Sequence, residues 1–359
     1  MKKNKLFYKN IKKLCFFLAF GLILQLTVLF IIDQFVLGKR DIATSMKFKE
    51  VVDNSMKSKI PDPIPLPSNV KDIQLSYNAK YISYIDDDEL KIVNTANNTT
   101  KTIDIPSNLS ISCCRWIPNI ERIYISVKKD TPKNTIFTFY YYDAKKDVLN
   151  KVKNENKKDV KIIYNKNSKV KDMKISNLTG MNLIKLENSY SRNSLFTLNR
   201  MNEEKKVKIP DDNIKDIELM LNTDTIIYEK LPSNTINCVF KNNQIKKLDV
   251  HGLKNPSLIT TDKDGIIYIA SLKNKKTNTI YHRSLDDTVW KKTSLPFSVD
   301  KNSIYVINKD NIYINDSSNN TLTEIHSNIS KTYKGTLIGV YNNKMASIYN
   351  SKVIIDKLK

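Results

Sequence analysis

At 359 residues the chain is long enough to bury a large core, so its size excludes neither one large domain nor two ordinary ones. A formal charge of +22 and a pI near 9.5 accompany 40% hydrophobic residues, which excludes an intrinsically disordered chain and marks a folded, basic protein. Only seven residues are Gly, while Asn recurs at the expected turns; because Asn tolerates positive φ better than most side chains, it is expected to stand in for Gly there.

Residues 1–13 hold Lys2, Lys3, Lys5, Lys9, Lys12 and Lys13 and read as a short basic tail. Leu14 to Ile32 then form a run of nineteen residues without a charge, and Phe35, Val36 and Leu37 extend it past Asp33. At ~1.5 Å per residue a helix of this length spans roughly 28 Å, close to the ~30 Å hydrocarbon thickness of a bilayer. Residues 14–37 are therefore expected to form one transmembrane helix. Lys39 and Arg40 follow it, so the larger Lys excess ahead of it places the N-terminus in the cytoplasm and the rest outside. The run ends in Asp33-Gln34-Phe35-Val36-Leu37-Gly38-Lys39, without the small-residue pattern of a signal-peptide cleavage site, which favours an uncleaved anchor. Cys15 begins the apolar run instead of following it, where lipoprotein processing would need it, and reads as a small apolar residue of the helix.

Ile42, Met46, Phe48, Val51, Val52 and Met56 recur at mixed three- and four-residue spacing, as in a short amphipathic stalk. PDPIPLP, residues 61–67, follows; its prolines forbid helix and favour a stiff, extended spacer. Residues 38–68 thus read as stalk and linker, and 69–359 as an extracytoplasmic domain.

That domain carries a weak internal repeat. VKDIQLS at 70–76, VKDMKIS at 170–176 and IKDIELM at 214–220 share the pattern apolar-Lys-Asp-apolar-x-apolar. In the first copy Ile73 and Leu75 alternate with polar residues, Tyr77-Asn78-Ala79-Lys80 makes a turn, Tyr81 to Ile85 forms a second run, and Asp86-Asp87-Asp88 leads into Leu90-Lys91-Ile92-Val93. Asn97-Asn98 then turns the chain into Lys101 to Ile105. An apolar period of two, broken by polar turns, predicts antiparallel strands and not helices. Further units are expected at 109–153, 170–210, 214–250, 256–296, 297–326 and 329–358, most near the ~40-residue period of propeller blades. Residues 154–169 fit the register poorly and read as a long connection between blades; the short last units point to a blade completed by a strand from the start of the domain.

Units such as KDIQLSYNAKYISYIDDDELKIVNTANNTTKTIDI, running from Lys71, resemble the TolB-like and dipeptidyl-peptidase N-terminal-like β-propellers. The resemblance spans most of the domain and implies a β-propeller; with the units counted above and the apolar run ahead of them, the expected fold is an all-β propeller of six or seven blades behind one transmembrane helix. The Gly-His and Trp-Asp marks of WD40 blades are missing, since neither Trp116 nor Trp290 precedes Asp. A pair of β-sandwiches or an irregular β-solenoid is the rival architecture.

Candidate chemistry is sparse. No Gly-x-Ser-x-Gly string offers a nucleophile elbow, and the seven glycines are too scattered for a phosphate loop. His251, His282 and His326 each stand alone, whereas zinc or general-base work groups His with another ligand, so they read as structural or exposed. Cys113-Cys114 reads as a buried pair beginning a strand, with a bond from one of them to Cys238 as an open alternative. Asp86-Asp87-Asp88-Glu89 and Thr261-Asp262-Lys263-Asp264-Gly265 offer oxygen ligands to Ca²⁺ but lack the distal Glu of a calcium loop, so plain turns are the favoured reading. Phe137, Phe139, Tyr140, Tyr141 and Tyr142 read as core packing ahead of a stacking platform for sugars or bases. No catalytic, cofactor or metal-binding residue is assigned.

Eight of the 59 basic residues and one of the 37 acidic ones lie in residues 1–40, leaving 51 against 36, near +15, beyond them. Such a surface attracts polyanions, and outside a membrane these are anionic envelope polymers and lipid head groups more than nucleic acid. The expected function is a membrane-anchored module that binds or scaffolds a protein, glycan or anionic envelope polymer. A propeller-type glycan-cleaving enzyme with paired carboxylates at the central channel is the alternative.

Overall fold

The computed structural model describes residues 62–209, 213–250, 252, 253 and 255–358, together with ten between 17 and 29. The chain falls into two units, Met1–Lys59 and Ile60–Lys359. In the first, residues 17, 18, 21, 22 and 24–29 are helical and exposed. No helix among the described residues is long and apolar enough to cross a membrane. The basic tail 1–13, Cys15, the rest of the expected span 14–37 and the stalk through residue 61 lie outside the described residues.

The second unit opens with β1 (Ile64–Pro65) and continues as six sheets laid down in chain order. Blade 1 holds β2 (Lys71–Leu75), β3 (Tyr81–Asp86), β4 (Glu89–Asn94) and β5 (Thr99–Thr102). Blade 2 holds β6 (Ser110–Trp116), β7 (Arg122–Asp130), β8 (Asn134–Asp143), β9 (Val148–Lys151) and β10 (Lys161–Asn165). Blade 3 runs from β11 (Lys169–Ile175) through β12 (Asn182–Glu187) and β13 (Asn193–Leu198) to β14 (Glu204–Lys206). In blade 4 the order is β15 (Ile214–Leu219), β16 (Ile226–Lys230), β17 (Thr235–Val239) and β18 (Ile245–Lys247). Blade 5 comprises β19 (Pro256–Thr261), β20 (Ile267–Ser271), β21 (Lys276–Arg283) and β22 (Lys291–Asp300), and blade 6 comprises β23 (Ile304–Asn308), β24 (Asn311–Asp316), β25 (Thr321–Glu324) and β26 (Ser330–Thr332). The seventh sheet joins β27 (Thr336–Tyr341), β28 (Lys344–Tyr349) and β29 (Lys352–Lys357) to β1, in the order β1-β29-β28-β27.

The architecture is a seven-bladed propeller, which decides between the six or seven expected blades and excludes the sandwich and solenoid rivals. The innermost strands form a ring: β2 lies against β6 and β27, β6 against β11, β11 against β15, β15 against β19, and β23 against β27. Second strands such as β12 (NLIKLE), β16 (IIYEK) and β20 (IYIAS) are buried along almost their whole length, because each blade is covered on both faces. Outer strands such as β5 and β14 are fully exposed and polar.

Seven hydrophobic clusters fill the seven gaps between neighbouring blades. Leu90, Ile92 and Ile103 of blade 1 meet Ile123, Ile125 and Tyr142 of blade 2, and Phe137 and Phe139 of blade 2 meet Ile184 and Phe196 of blade 3. The aromatic run is thus core: Phe137 and Phe139 are completely buried. At ~1.5–3 kcal/mol per buried aliphatic or aromatic side chain, these gaps supply most of the force that holds blade to blade.

Three expectations are corrected. The PDPIPLP segment is no spacer: Ile64 pairs with Val353, Leu66 N donates to Ser351 O at 2.8 Å, and Ile64 and Leu66 are buried in the cluster shared by blades 1 and 7. Pro63, Pro65 and Pro67 face out between them, which an edge strand tolerates because the missing N–H would point to solvent. Residues 154–169 are not simply a connection either. β9 pairs with the second half of β8 and β10 with its first half, so the outer strand of blade 2 resumes after a short loop around 153–159. The boundary drawn at 296–297 moves to residues 301–303, since β22 runs on to Asp300.

Turn chemistry follows the composition. Of the 23 non-Gly residues with positive φ among the described residues, 13 are Asn, so Asn does take the left-handed positions that Gly would otherwise fill.

Candidate functional site: the charged mouth of the channel

The apolar-Lys-Asp repeats lie at the same place in three innermost strands. In each the ladder slips, between Lys71 and Gln74, Val170 and Asp172, and Ile214 and Ile217. A bulge bends the strand and re-aims the side chains beside it. The apolar residues that follow, Ile73, Met173 and Ile217, enter gaps between blades, while Lys174 and Glu218, one residue further on, border a cavity at the ring centre.

That cavity has a volume of about 400 Å³ and lies where the inter-blade turn of Lys301 and Asn302 reaches the axis. Six cations, Arg115, Lys171, Lys174, Lys185, Lys215 and Lys301, share its wall with three carboxylates, Asp172, Asp216 and Glu218. The charges form a network that crosses blade after blade. Arg115 Nε donates to Asp172 Oδ1 at 3.1 Å, and its Nη1 donates to Cys114 O at 2.7 Å and stands 3.6 Å from Asp72 Oδ1. Lys174 Nζ lies 2.8 Å from Glu218 Oε1 and 3.6 Å from Asp172 Oδ2. Lys185 Nζ donates to Lys215 O at 2.6 Å. Lys301 Nζ reaches Asp216 Oδ2 at 2.5 Å, Ser257 Oγ at 2.9 Å and Leu258 O at 3.1 Å.

Beneath the wall sits Glu229, with no exposed surface. Its Oε1 accepts from Lys215 Nζ at 2.7 Å, and its Oε2 accepts from Ser257 Oγ–H at 2.8 Å and Leu258 N–H at 2.9 Å. Lys301 stands 3.7 Å away, so a buried carboxylate is shared by two lysines.

Electrostatics at the wall follow from burial against charge. Burial pushes the Glu218 carboxyl above the ordinary range against the pull of Lys174. For the Lys174 ammonium burial works the other way, but Glu218 and Asp172 outweigh it and hold its proton more tightly. Burial draws the Lys185 ammonium down despite Asp216 and Asp172. Each of the three carboxylates on the wall touches a cation.

The candidates singled out in the sequence lie elsewhere. His282 is on β21, its ring stacked 5.7 Å from Tyr268, and burial followed by Lys291 lowers its pKa. The His326 ring Nε2 lies 3.0 Å from Lys309 O in a turn, and His251 lies outside the described residues. Cys113 and Cys114 are adjacent on β6 and so point to opposite faces of the blade, into the gaps toward blades 3 and 1; Cys238 lies between blades 4 and 5. All three are free thiols, which overturns the open disulfide to Cys238. Asp87 and Asp88 take positive φ in the β3–β4 turn, and Asp262 Oδ1 accepts from the amides of Asp264 and Ile266, so both Asp-rich segments serve their own turns.

The repeat signal located the right strands but not the site. Arg115, Lys185, Glu229 and Lys301 sit outside the repeated string, so the repeat carries no sign of them; only the charged residue at the x position in two copies, Lys174 and Glu218, points to the site.

No protein-family model matches the chain, and no curated protein matches it in sequence. Its fold does match solved structures. Streptogramin B lyase is 11% identical with a TM-score of 0.51, over 82% of this chain and 96% of that one. The β-propeller domain of Cps50 (Swd1) from Myceliophteria thermophila is 9% identical with a TM-score of 0.50, over 83% and 98%. A prolyl endopeptidase is 10% identical with a TM-score of 0.50, over 80% of this chain but 42% of that one. Likeness at this identity speaks to fold alone, and it agrees with the sheet order: residues 62–358 form a seven-bladed β-propeller.

Proposed function

We propose that the chain is a membrane-anchored, extracytoplasmic binding or scaffolding module whose channel mouth receives an anionic group of a protein, glycan or envelope polymer. The observation that carries the reading is the channel wall, where six cations face three carboxylates, each of the three already engaged by Lys or Arg. Lys171, its side chain 52% exposed and held only loosely by Glu187 at 3.9 Å, is the wall cation most open to an external anion, and the chain's surplus of basic residues draws one toward it. The anchor and the outward orientation rest on the uncharged run Leu14 to Ile32 and the Lys residues ahead of it. Among propellers, the repeat resembles the TolB-like and dipeptidyl-peptidase N-terminal-like group.

The test uses the full chain in lipid nanodiscs, titrated with polyglutamate, polyphosphate and neutral dextran. The polyanions should bind, lose affinity steeply with salt, and lose about tenfold when Lys171 becomes Glu. Equal binding of dextran, or an unaffected Lys171→Glu variant, would sink the reading. A second reading, glycan cleavage, draws on one observation: the Asp172 and Glu218 carboxylates both border the cavity, and burial raises Glu218 as a general acid requires. Against it, the Lys174 ammonium touches both. Sugar release by the parent chain that disappears in Glu218→Gln would establish the enzyme.

A further inference from the structure

At the opposite end of the blades from the inter-blade turns, a second cavity of about 460 Å³ opens between blades 3 and 4. It lies within the ~300–1,000 Å³ range of small-molecule sites. Its floor is apolar: Val207, Ile226 and Val239 are buried, and Met181 and Phe240 half-buried. Its rim is cationic. Arg200 comes from the β13–β14 turn, Lys205 from β14 and Lys241 from the β17–β18 turn.

Two details shape this cleft. Gly180, at φ +76°, has no side chain to obstruct Arg200, whose Cγ would stand 3.2 Å from a Cβ there, so the arginine packs across the β11–β12 turn. Thr179 Oγ1–H donates to Asp224 Oδ1, tying the first turns of the two blades together; Asp224 is the one carboxylate on the lining, against three cations. None of Arg200, Lys205 and Lys241 enters an ion pair among the described residues. An apolar floor under three unpartnered cations complements a ligand with an apolar body and a single anionic head. A polyanion would bring too much charge over the floor, and a neutral apolar ligand would leave the cations unused.

We infer that this cleft is a binding site for small amphipathic carboxylates, separate from the channel mouth. The acyl or aryl body lies on Val207, Ile226, Val239 and Phe240, with Met181 and Met201 adapting to its shape, and the carboxylate meets Arg200 and Lys241.

The experiment titrates 4-(4-fluorophenyl)butyrate and its primary amide into the full chain in lipid nanodiscs, reads ¹⁹F line broadening, and subtracts empty nanodiscs. Two exposed-ion contacts should make the acid bind about fivefold more tightly than the amide. Arg200→Gln with Lys241→Gln, both at exposed positions, should weaken the acid about fivefold and leave the amide within about twofold. Thr197→Trp, which fills the cleft from its wall, should abolish binding of both, with an unchanged melting temperature confirming the fold. Absence of broadening at the solubility limit would overturn the inference. So would equal affinities for acid and amide, an acid affinity indifferent to the double substitution, or binding that survives Thr197→Trp.

Discussion

Glu229 offers the sharpest test of the channel network, because it is completely buried and holds Lys215 and Lys301 at once. Glu229→Ala removes the carboxylate and leaves both ammonium groups, the Ser257 hydroxyl and the Leu258 amide without their shared acceptor. Breaking a buried pair from one side costs about 3–5 kcal/mol, since the remaining charge keeps its desolvation penalty. Lys215 is one-third exposed and can turn to water, and Lys301, only 13% exposed, keeps Asp216 at 2.5 Å, so the loss lies toward the lower end of that range. For a domain of this size 1 kcal/mol corresponds to a shift of roughly 1.5–2 °C, so the variant should melt about 5–8 °C below the parent. Glu229→Gln keeps an acceptor for Ser257 and Leu258 and should lose about half as much. Glu229→Leu combined with Lys215→Met and Lys301→Met removes the charges together and should recover at least half of the loss. Thermal unfolding followed by circular dichroism reads all three. If Glu229→Ala melts within about 2 °C of the parent, the buried network does not hold blades 4 and 5 together as described.

Three further outcomes follow from particular contacts. Replacing Ile64 and Leu66 by Ala empties the latch between blades 1 and 7 and should cost about 4–8 kcal/mol at ~2–4 per site, with hydrogen exchange at the Leu66 amide rising first; a parent-like melting temperature would refute the closure. Burial pushes the Cys113 and Cys238 thiols up to about 12 and raises Cys114 well above its usual range, so in a Cys15→Ser background iodoacetamide at pH 8 should label all three ~100-fold faster after unfolding than before. Labelling of the folded chain at the unfolded rate would contradict the packing. Burial works against the Asp143 carboxylate, but Arg122 at 2.8 Å and the Lys146 amide outweigh it and hold its carboxyl below the ordinary range. A depressed folded pKa contributes stability above the unfolded value near ~4 that is lost as pH falls through the folded one, so Asp143→Asn should flatten the acid limb of a melting-temperature profile below about pH 4; an unchanged limb would remove Asp143 as a contributor.

Much of the fold was legible because strand formation and turn type are decided locally. Alternation in KDIQL and YISYI, with Asp and Asn at the turns between such runs, places strands and hairpins without knowledge of neighbours. Two passages misled for physical reasons. In PDPIPLP the prolines dominated the reading, although Ile64 and Leu66 alternate with Pro63, Pro65 and Pro67 as an edge strand requires. In blade 2 the loop around 153–159 interrupts the outer strand, so KIIYN at β10 appeared without a partner in sequence even though β8 was long enough to take both halves. The candidate site was less legible. The Lys-Asp repeat marked its strands, but Lys174 and Glu218 acquire meaning only when blades 3 and 4 stand side by side.

Composition and alternation alone therefore determined an all-β domain of repeated four-stranded units, with Asn-rich turns, an aromatic core and an uncharged apolar run ahead of it, since each of these depends on residues close along the chain. Tertiary structure decided the rest: that the count is seven, that Ile64 closes the ring against Val353, that Cys113 and Cys114 face different gaps, and that Arg115, Lys174, Glu218 and Lys301 share one wall above the buried Glu229. These depend on which strands become neighbours around the axis, and that is settled by packing between blades, between residues far apart in sequence.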